Sequence, residues 1–355
     1  MRVLDVLVFG SVVGLCLWSH YYAVVTCPLE TNNGFQTDAL VAFFADPQIE
    51  GDAKIRNFGL AGRIEVSLND LYHHIIVSAI SRLNVTHAVT LGDLFSSETL
   101  SPKEFKLRHE RLMWQFAPIF ENVPTINITG NHDIGYGYLV REQYLRNFEK
   151  AFGPANSLVH IAGHVFCNVN GMTLEGAPKR LMTESWNQVN LCAEEASKTK
   201  EPLILITHMP LPNPDGDKDG CDPYKVLWDE YHKMITKQNH VTKESASKLL
   251  RTLNPVMVFA GHDHDGCFYK LGEDKSIPQY TVRSMMGDFS GNVQLLAIGH
   301  IDHEDGTTSV EYSVRACSLR LKMVHYVYAA ISVFTYSVFR LVFSCYKGNK
   351  RQKTE

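Results

Sequence analysis

The sequence predicts an α/β fold in which two β-sheets pack face to face with helices outside them, flanked by one transmembrane helix at each end. Three observations indicate this architecture. Short apolar runs rich in β-formers alternate with helical patterns through the middle of the chain. After residue 276 the pattern changes to strands alone. Each end of the chain carries a hydrophobic run long enough to cross a bilayer.

Five apolar runs in the middle of the chain are typical of buried central strands, because each is short and ends in Asp, Asn or His. They are ALVAFFAD, HAVTLGD, PTINITGNHD, PLILITH and PVMVFAGHDH. Apolar residues at helical spacing predict helices over 68–83, 103–120 and 242–254. IPQYTVRSM, VQLLAIGHID and TTSVEYSVRA predict the final strands. No repeat or low-complexity linker interrupts 37–315, so we expect one domain there.

The two terminal runs divide the chain into four parts. Residues 1–26 are expected to form a transmembrane signal-anchor and 323–346 a second transmembrane helix, with a luminal domain over 27–322 and a cytosolic basic tail over 347–355. The alternatives are a cleaved signal peptide for the first run and a buried core helix for the second. The first run is longer than a usual signal-peptide core, and only a short polar tail follows the second.

The charge pattern predicts on which side of the membrane the domain lies. Four basic residues in the tail place it in the cytosol by the positive-inside rule. The domain then faces an oxidising lumen, where six of the eight cysteines could form up to three bridges. Asn84 begins a glycosylation sequon and is a candidate acceptor, whereas the sequon at Asn127 lies in a strand-like run and is expected to be buried and unused. The net charge of −4 and the lack of a basic cluster in the domain exclude a nucleic-acid binder.

The polar residues that end the apolar runs form the candidate site. Ligands of α/β sheets lie beyond the carboxyl ends of the strands, so these residues should converge. They are Asp46, Gln48, Asp93, Asn131, His132, His208, His262 and His264. Carboxylates, amides and imidazoles without a thiolate suit Mn, Fe or Zn. There are too many ligands for one ion and about enough for two, which is the arrangement that clamps a phosphoryl group.

The order D…GD…GNHD…H…GHxH, with each motif at a strand tip, resembles the calcineurin-like metallophosphoesterase superfamily over nearly the whole predicted luminal stretch. The resemblance implies a four-layer αββα sandwich that holds two divalent metal ions. It implies that Asp46 and His264 bind the first metal and that Asp93 bridges both. Asn131, His208 and His262 would complete the second metal's site. His132 would be catalytic rather than a ligand, protonating the leaving alkoxide.

Further segments resemble one branch of that superfamily. GNHDIGYG, RNFEKAFG, ESASKLLRTLNPVMVFAGHDHDGC and PQYTVRSMMGDFSGN are similar to the endoplasmic-reticulum phosphoesterases that remodel GPI anchors. This resemblance implies a membrane-embedded enzyme that removes ethanolamine phosphate from a mannose of the glycan on GPI-anchored proteins and so assists their export. The tail ending RQKTE is similar to the dibasic signal by which coat proteins retrieve membrane proteins, with possible cycling to the Golgi. The alternative is that the basic tail only sets topology.

Other functions remain open at this stage. A phosphoesterase of this fold could act on nucleotides, lipids or phosphoproteins, although GDLFSS lacks the GDxVDRG extension of phosphoprotein phosphatases. A cargo receptor could have kept the fold without activity. DGDKDGCDPYKV (215–226) begins like a calcium-binding EF-hand loop, but it has Val226 where a bidentate Glu is needed, so we expect an acidic loop beside the site.

Three minor assignments complete the sequence reading. Cys221 and Cys267 both follow site motifs closely, so we predict a disulfide between them at the rim of the site. The segment holding Arg283, Ser284 and Asp288 is expected to be a structural turn, with pocket lining as the alternative. The remaining paired histidines, at 73–74 and at 300 and 303, are expected to be surface or core residues.

Gln48 is the departure from the family pattern, which has Asp-x-His where this chain has Asp46-Pro47-Gln48. An amide oxygen is a harder and weaker donor than an imidazole, so it should favour Mn over Zn and loosen binding at the first site. We also expect Pro47 to hold Asp46 in an extended conformation.

Overall fold

Two mixed β-sheets form the centre of the fold. This computed structural model describes residues 34–214, 221–229, 231, 234–272 and 274–318, together with residues 10, 14, 327, 331 and 334–340. The strands are β1 Gln36–Phe44, β2 His87–Thr90, β3 Thr125–Asn127, β4 Ser157–Ile161, β5 His164–Asn168, β6 Leu203–Ile206, β7 Val226–Asp229, β8 Met234–Gln238, β9 Met257–Ala260, β10 Cys267–Leu271, β11 Ile277–Thr281, β12 Asn292–Asp302 and β13 Thr308–Ser318. The first sheet has the order β13-β12-β1-β2-β3 and the second β10-β11-β9-β6-β5-β4. Strands β7 and β8 form a separate hairpin.

The helices are α1 Asp52–Ile80, α2 Pro102–Phe120, α3 Asn131–Ile134, α4 Glu142–Phe152, α5 Lys179–Thr199 and α6 Lys243–Leu253. Helices α1 and α2 pack on each other, and α5 packs on α6 and on β5. Ser101 and Thr242 cap α2 and α6, each accepting a hydrogen bond from the backbone N–H three residues on.

The inner faces of the two sheets meet in a layer of buried apolar side chains. Phe43 of β1 stacks on Phe259 of β9 with ring centroids 4.0 Å apart, which joins one sheet to the other. Val41 beside Phe43, and Ile204 and Ile206 of β6, belong to the same buried cluster. Alternate residues of β1, Ala42 and Phe44, point to the outer layer, where Phe44 meets Phe116 of α2 edge to face.

Parallel strands in both sheets bring their carboxyl ends to the same edge of the sandwich. Strands β1, β2 and β3 are parallel in the first sheet, and β5, β6, β9 and β11 are parallel in the second. The carboxyl ends of β1, β2, β6 and β9 lie at one edge of the sandwich, which we call the metal-site edge. Antiparallel β12 and β13 close the first sheet, as the strand-only pattern after residue 276 predicts.

The sequence expectations for the elements are confirmed, with two differences. Helix α1 begins at Asp52, well before the predicted 68–83, because exposed apolar side chains blur its helical period. Helices α4 and α5 and strands β4, β5, β7, β8 and β10 were not anticipated; the segments SLVHI and HVFCN, for example, are short and mixed in polarity.

The predicted membrane segments, 3–25 and 323–346, lie mostly outside the described residues. Among the residues that are described, no helix is both long and apolar enough to cross a bilayer. Of the second run, residues 327, 331 and 334–340 are described and are helical.

Helix α1 is bent back on itself. Gly59 has φ 55° and ψ −123° inside it, so 52–58 and 60–80 form two arms of a helical hairpin. Gly62 lets the arms cross, because a Cβ there would fall 2.5 Å from the Lys54 carbonyl oxygen. Lys54 pairs with Glu65 across the two arms at 2.7 Å.

Candidate metal centre and active site

The predicted site residues come together at the metal-site edge. Each follows a strand: Asp46 and Gln48 after β1, Asp93 after β2, Asn131 and His132 at the start of α3, His208 after β6, and His262 and His264 after β9. Four of them have positive φ values, namely Asp46 at 50°, Gln48 at 43°, Asp93 at 51° and His262 at 73°. Such strained backbone turns the chain sharply after each strand and concentrates at functional sites.

Asp93 lies at the centre of the group. One of its carboxylate oxygens and one ring nitrogen each of His208 and His262 all lie within 4.8 Å of one another. Asp93 Oδ1 accepts a hydrogen bond from the backbone N–H of His132 at 2.8 Å and lies 3.5 Å from His208 Nε2. This position between the other ligands suits a bridging carboxylate.

His208 presents a lone pair to the site. The Leu91 carbonyl oxygen, 2.6 Å from Nδ1, can only accept, so Nδ1 carries the proton and Nε2 is bare. Nε2 lies 3.1 Å from Asn131 Oδ1. In this orientation of the amide both atoms are acceptors and could share a cation, whereas the orientation rotated by 180° would let the amide donate to Nε2.

Asp46 supplies a second observation that fits a metal ion. Its side chain is fully buried, and Oδ2 accepts from the backbone N–H of His262 at 3.0 Å. Among the described residues Oδ1 has no hydrogen-bond partner, and it lies 3.9 Å from His264 Nε2. A buried carboxylate oxygen without a donor is costly unless a cation pairs with it.

The expectation that Pro47 keeps Asp46 extended is wrong. Asp46 is left-handed, and two hydrogen bonds hold it there: His262 N–H on its carboxylate and the Ser284 hydroxyl on its carbonyl, at 2.9 Å. These tertiary contacts override the local preference imposed by the following proline.

Gln48 lies beside the first metal's ligands. Its Nε2 is 3.1 Å from His264 Nε2 and 3.3 Å from Asp93 Oδ2. Rotating the amide by 180° would bring Oε1 to the same place, so this side chain reaches the position where the sequence analysis expects a ligand.

Electrostatics of the site favour a bound cation. Burial raises the pKa of the Asp46 carboxyl well above its ordinary value, and the Asp93 carboxylate raises it further. Burial lowers the pKa values of His208 and His262, which keeps both imidazoles neutral, as metal ligands must be. The donor set therefore fits divalent metal ions.

The phosphoesterase family model matches this arrangement. The model described as calcineurin-like phosphoesterase matches residues 40–266, from β1 to just beyond His264. The chain belongs to the calcineurin-like phosphoesterase family. The family resemblance read from the sequence is thereby confirmed.

Curated relatives cover most of this calcineurin-like phosphoesterase. Protein TED1 of Saccharomyces cerevisiae is 24% identical over 401 residues, covering 86% of this chain and 83% of TED1. Metallophosphoesterase 1 of Xenopus laevis is 25% identical over 370 residues, covering 92% of this chain and 86% of that protein. A metallophosphoesterase 1 homologue of Caenorhabditis elegans is 28% identical over 243 residues, covering 62% and 63%.

His132 lies next to Asp93 at the edge of the candidate ligand group. Its ring is partly exposed, with Nε2 3.9 Å from Asp93 Oδ2. Its backbone is fixed by the N–H bond to Asp93, so the imidazole stands at the open side of the ligand cluster.

Asp133 is a positioning residue that sequence reasoning missed. Its Oδ1 accepts from the backbone N–H groups of Leu94 and Phe95 at 3.0 and 3.3 Å, and Oδ2 accepts from Gly130 at 2.9 Å. It therefore ties the loop of Asp93 to the loop of Asn131. The position of Asp133 in the GNHD motif was the available signal, but the sequence analysis used that motif only to identify Asn131 and His132.

Two arginines of α2 hold the chain that follows Gln48. Buried Arg108 donates to the Ile49 carbonyl at 2.9 Å and pairs with Glu104 at 2.8 Å. Arg111 donates to the Glu50 carbonyl at 2.6 Å and makes a two-pronged contact with Asp70. No sequence motif marks them, because each acts on backbone atoms.

The other predicted residues have varied surroundings. The structure joins Cys221 to Cys267 and Cys167 to Cys192 by disulfides. Ser284 is buried and bonds to Asp46, Arg283 is exposed beside Asp265, and Asp288 lines a cavity of about 50 Å³ next to Gln48. The acidic segment 215–220 of the EF-hand-like loop lies outside the described residues.

The two sequons differ in accessibility. Asn84 is exposed in a left-handed turn, so its side chain is open to glycosylation. The Asn127 side chain donates to the Phe152 carbonyl and accepts from Thr90, and Thr129 is buried. The second sequon is thus committed to internal contacts.

Proposed function

We propose that this chain is a metal-dependent phosphodiesterase that removes ethanolamine phosphate from a mannose of the GPI-anchor glycan. The observation that carries the proposal is the convergence of Asp93, His208 and His262 around one point, with Asp46 bonded to the His262 backbone and His132 beside Asp93. Divalent metal ions at such a site lower the pKa of a water molecule and offset the charge on phosphate oxygens.

The chain's own residues have distinct roles in this reaction. Asp93 would bridge two metal ions, with Asp46, His264 and Gln48 on one side and Asn131, His208 and His262 on the other. A water molecule that has released one proton to solvent would add as hydroxide to phosphorus while the bond from phosphorus to the mannose oxygen breaks. His132 Nε2 would donate a proton to that leaving oxygen, so the mannose leaves as a hydroxyl and ethanolamine phosphate as a phosphomonoester.

Manganese is the metal we expect, with Fe or Zn as alternatives. The three imidazoles, two amides and two carboxylates that would bind the metals accept any of these ions. Gln48 in place of a histidine shifts the first site toward the harder ion.

The choice of substrate is supported by the branch-specific segments. GNHDIGYG spans α3 and the following turn, and PQYTVRSMMGDFSGN includes Ser284, which bonds to Asp46. These segments therefore lie at the metal centre itself. Relatives named metallophosphoesterase 1 that match most of the chain are consistent with a shared activity.

The cellular setting belongs to the same proposal. Segments 3–25 and 323–346 would anchor the enzyme in the endoplasmic-reticulum membrane with the phosphoesterase domain in the lumen. The cytosolic tail would bind coat proteins for retrieval from the Golgi. Its GPI-anchored substrates would pass to the export route once processed.

The deciding experiment measures the GPI glycans of cells by mass. Cells that carry Asp93→Asn or His132→Ala in place of the wild-type chain should retain one more ethanolamine phosphate per glycan. Asp265→Asn is the matched control, because Asp265 is 73% exposed and lies outside the ligand group. An unchanged ethanolamine-phosphate count in the site variants would refute the proposed reaction.

A non-catalytic cargo receptor is the competing function, favoured by the missing histidine at Gln48. Metal content separates the two. Purified full-length protein should contain close to two metal ions per chain if it is the proposed enzyme. A stable, metal-free protein that still binds GPI-anchored cargo would favour the receptor. Metal-loaded protein active only on other phosphoesters would keep the enzyme and change its substrate.

A further inference from the structure

An apolar stripe covers the outward face of the α1 hairpin. It consists of Phe58, Leu60, Ile64, Leu68 and Leu71, all exposed, with Leu60 exposed to 73%. The last four recur at intervals of four, four and three residues, so they share one side of the second arm. A soluble protein seldom exposes an aligned apolar row of this kind without a partner.

The stripe reaches beyond the metal-site edge. Val66, Asn69 and His73 line the small cavity that Gln48 and Asp288 also line, so this part of α1 is level with the site. The helix continues from Asn69 towards Leu60 for about 13 Å at its rise of about 1.5 Å per residue. The hairpin tip around Gly59 therefore projects past the metal centre.

The chain leaves the domain at the same edge. Ser318, the last residue of β13, pairs with Asn292. The Asn292 backbone N–H donates to the Ser284 carbonyl, and the Ser284 hydroxyl donates to the Asp46 carbonyl. Two residues thus link the exit point to a predicted metal ligand.

Only residues 319–322 separate this exit from the second hydrophobic run. Even fully extended, the chain from 318 to 323 spans at most about 18 Å. The described part of the run is helical and exposes Val327, Ile331 and Phe334. The Thr335 hydroxyl donates a hydrogen bond to the Ile331 carbonyl at 2.8 Å, so its polar group is satisfied within the helix. An apolar helix of this kind is suited to lipid.

From these two features we propose that the apolar stripe of α1 docks on the bilayer and turns the metal-site edge towards the membrane surface. The occupant is the boundary between phospholipid headgroups and acyl chains, since the stripe and the end of β13, five residues before the second hydrophobic run, lie at one edge. Exposed Arg63 on the same arm suits lipid phosphates, as basic residues do in interfacial helices. The enzyme would then select phosphodiesters held close to the bilayer over those free in solution.

Photo-crosslinking tests the docking directly. Full-length protein with p-benzoylphenylalanine at Leu60 or Ile64 is reconstituted in vesicles of phosphatidylcholine, phosphatidylethanolamine and phosphatidylinositol that carry an alkyne-tagged lipid. The control position is Leu191 of α5, a 54% exposed leucine on the outside of the other sheet. Lipid adducts at 60 and 64 but not at 191 are expected. Adducts to a second copy of the chain, equal lipid labelling at 191, or protein that does not float with vesicles would overturn the proposal.

A kinetic test examines the consequence for catalysis, and it rests on the proposed function. Leu60→Ser/Ile64→Ser should hydrolyse soluble bis(p-nitrophenyl) phosphate like the wild type. Its kcat/KM for a phosphodiester embedded in vesicles should fall at least about ten-fold, because burial of even one of the two apolar side chains contributes about that factor. Leu191→Ser should change neither rate. If the double variant hydrolysed both the soluble and the vesicle-embedded substrate at the wild-type rate, the docking role would be contradicted. No hydrolysis of either substrate by the wild type would instead refute the enzyme, and crosslinking would still decide the docking.

Discussion

At the scale of single residues, we expect Gln48 to set how tightly the first of the proposed metal ions is held. Its amide lies within 3.1 Å of His264 and 3.3 Å of Asp93, where the family has an imidazole. We expect Gln48→His to bind Mn or Zn as tightly as the wild type or up to about ten-fold more tightly, because imidazole is the stronger donor. Calorimetric titration of metal into chelator-treated protein measures this.

A second variant separates ligation from mere packing. Gln48→Leu keeps a similar volume but has no donor atom, so its metal affinity should fall while its urea unfolding midpoint stays near that of the wild type. Loss of metal by Gln48→His in a folded protein would mean that Gln48 has another task.

The ligand residues could be predicted from sequence, and their supports could not. Asp46, Asp93 and His208 each end an apolar run, so the pattern of the chain marks them. Asp133 and Arg108 act by bonding to backbone atoms of loops that are distant in sequence. That information exists only after folding, since no local pattern records which loop a side chain will hold.

At the scale of elements, a buried histidine joins the two sheets. His164 of β5 lies 2.7 Å from the Tyr312 hydroxyl of β13 and 2.7 Å from the Ala162 carbonyl. The carbonyl can only accept, so Nδ1 carries the proton and Nε2 accepts from Tyr312. Burial lowers the pKa of His164, although the Ala162 bond and Glu201 act in the opposite direction.

This shift makes part of the stability dependent on pH. Because the folded pKa lies below the unfolded value of about 6.5, the unfolded chain binds more protons in this range. The contribution is complete above about pH 6.5 and is lost as the pH falls towards the folded pKa. The amount by which the Tm of the wild type exceeds that of His164→Gln should therefore decrease as the pH falls from about 8 to about 5. Ile161→Val, buried beside it, should show a constant gap, and a constant gap for His164→Gln would contradict the argument.

The α1 hairpin depends on one small residue. A Cβ on Gly62 would meet the Lys54 carbonyl at 2.5 Å, so Gly62→Ala should push the arms apart. We expect the free energy of local opening over 52–71 to fall by about 1–3 kcal/mol, as for other overpacked contacts. Hydrogen exchange of the backbone amides measures it, with exposed Ala61→Ser as control. Unchanged protection of the arms in Gly62→Ala would show that they are not tightly packed.

Sequence predicted most elements because their polarity follows a single period. Strands such as β6 and β9 are apolar throughout, and helices α2 and α6 have clear caps. Helix α1 was found only from residue 68 onwards, because residues 52–67 expose Phe58, Leu60 and Ile64, apolar side chains that a soluble helix would bury. The failure of the pattern there is the same feature that suggests a membrane contact.

At the scale of the whole molecule, two disulfides brace opposite parts of the second sheet. Cys167 of β5 joins Cys192 of α5 across 25 residues, and both are buried. Cys221 joins Cys267, the first residue of β10, across 46 residues. The longer bridge connects the segments that follow two predicted ligands, His208 and His264, so it closes the chain around the rim of the metal centre.

Removing the longer bridge should lower global stability without changing the site. Closing a loop of 46 residues restricts the unfolded chain by about 4 kcal/mol in the loop-entropy treatment, which sets the upper limit of the loss for Cys221→Ser/Cys267→Ser. Metal affinity should stay within about two-fold, or about 0.4 kcal/mol, because neither cysteine is a predicted ligand. Urea unfolding and metal titration of the oxidised proteins measure the two effects.

Cys167→Ser/Cys192→Ser is the comparison. Its shorter loop predicts a slightly smaller entropic loss of stability, but its buried serine hydroxyls add a packing penalty. If removing the Cys221 bridge weakened metal binding and left unfolding unchanged, the bridge would position the ligands rather than restrain the unfolded chain.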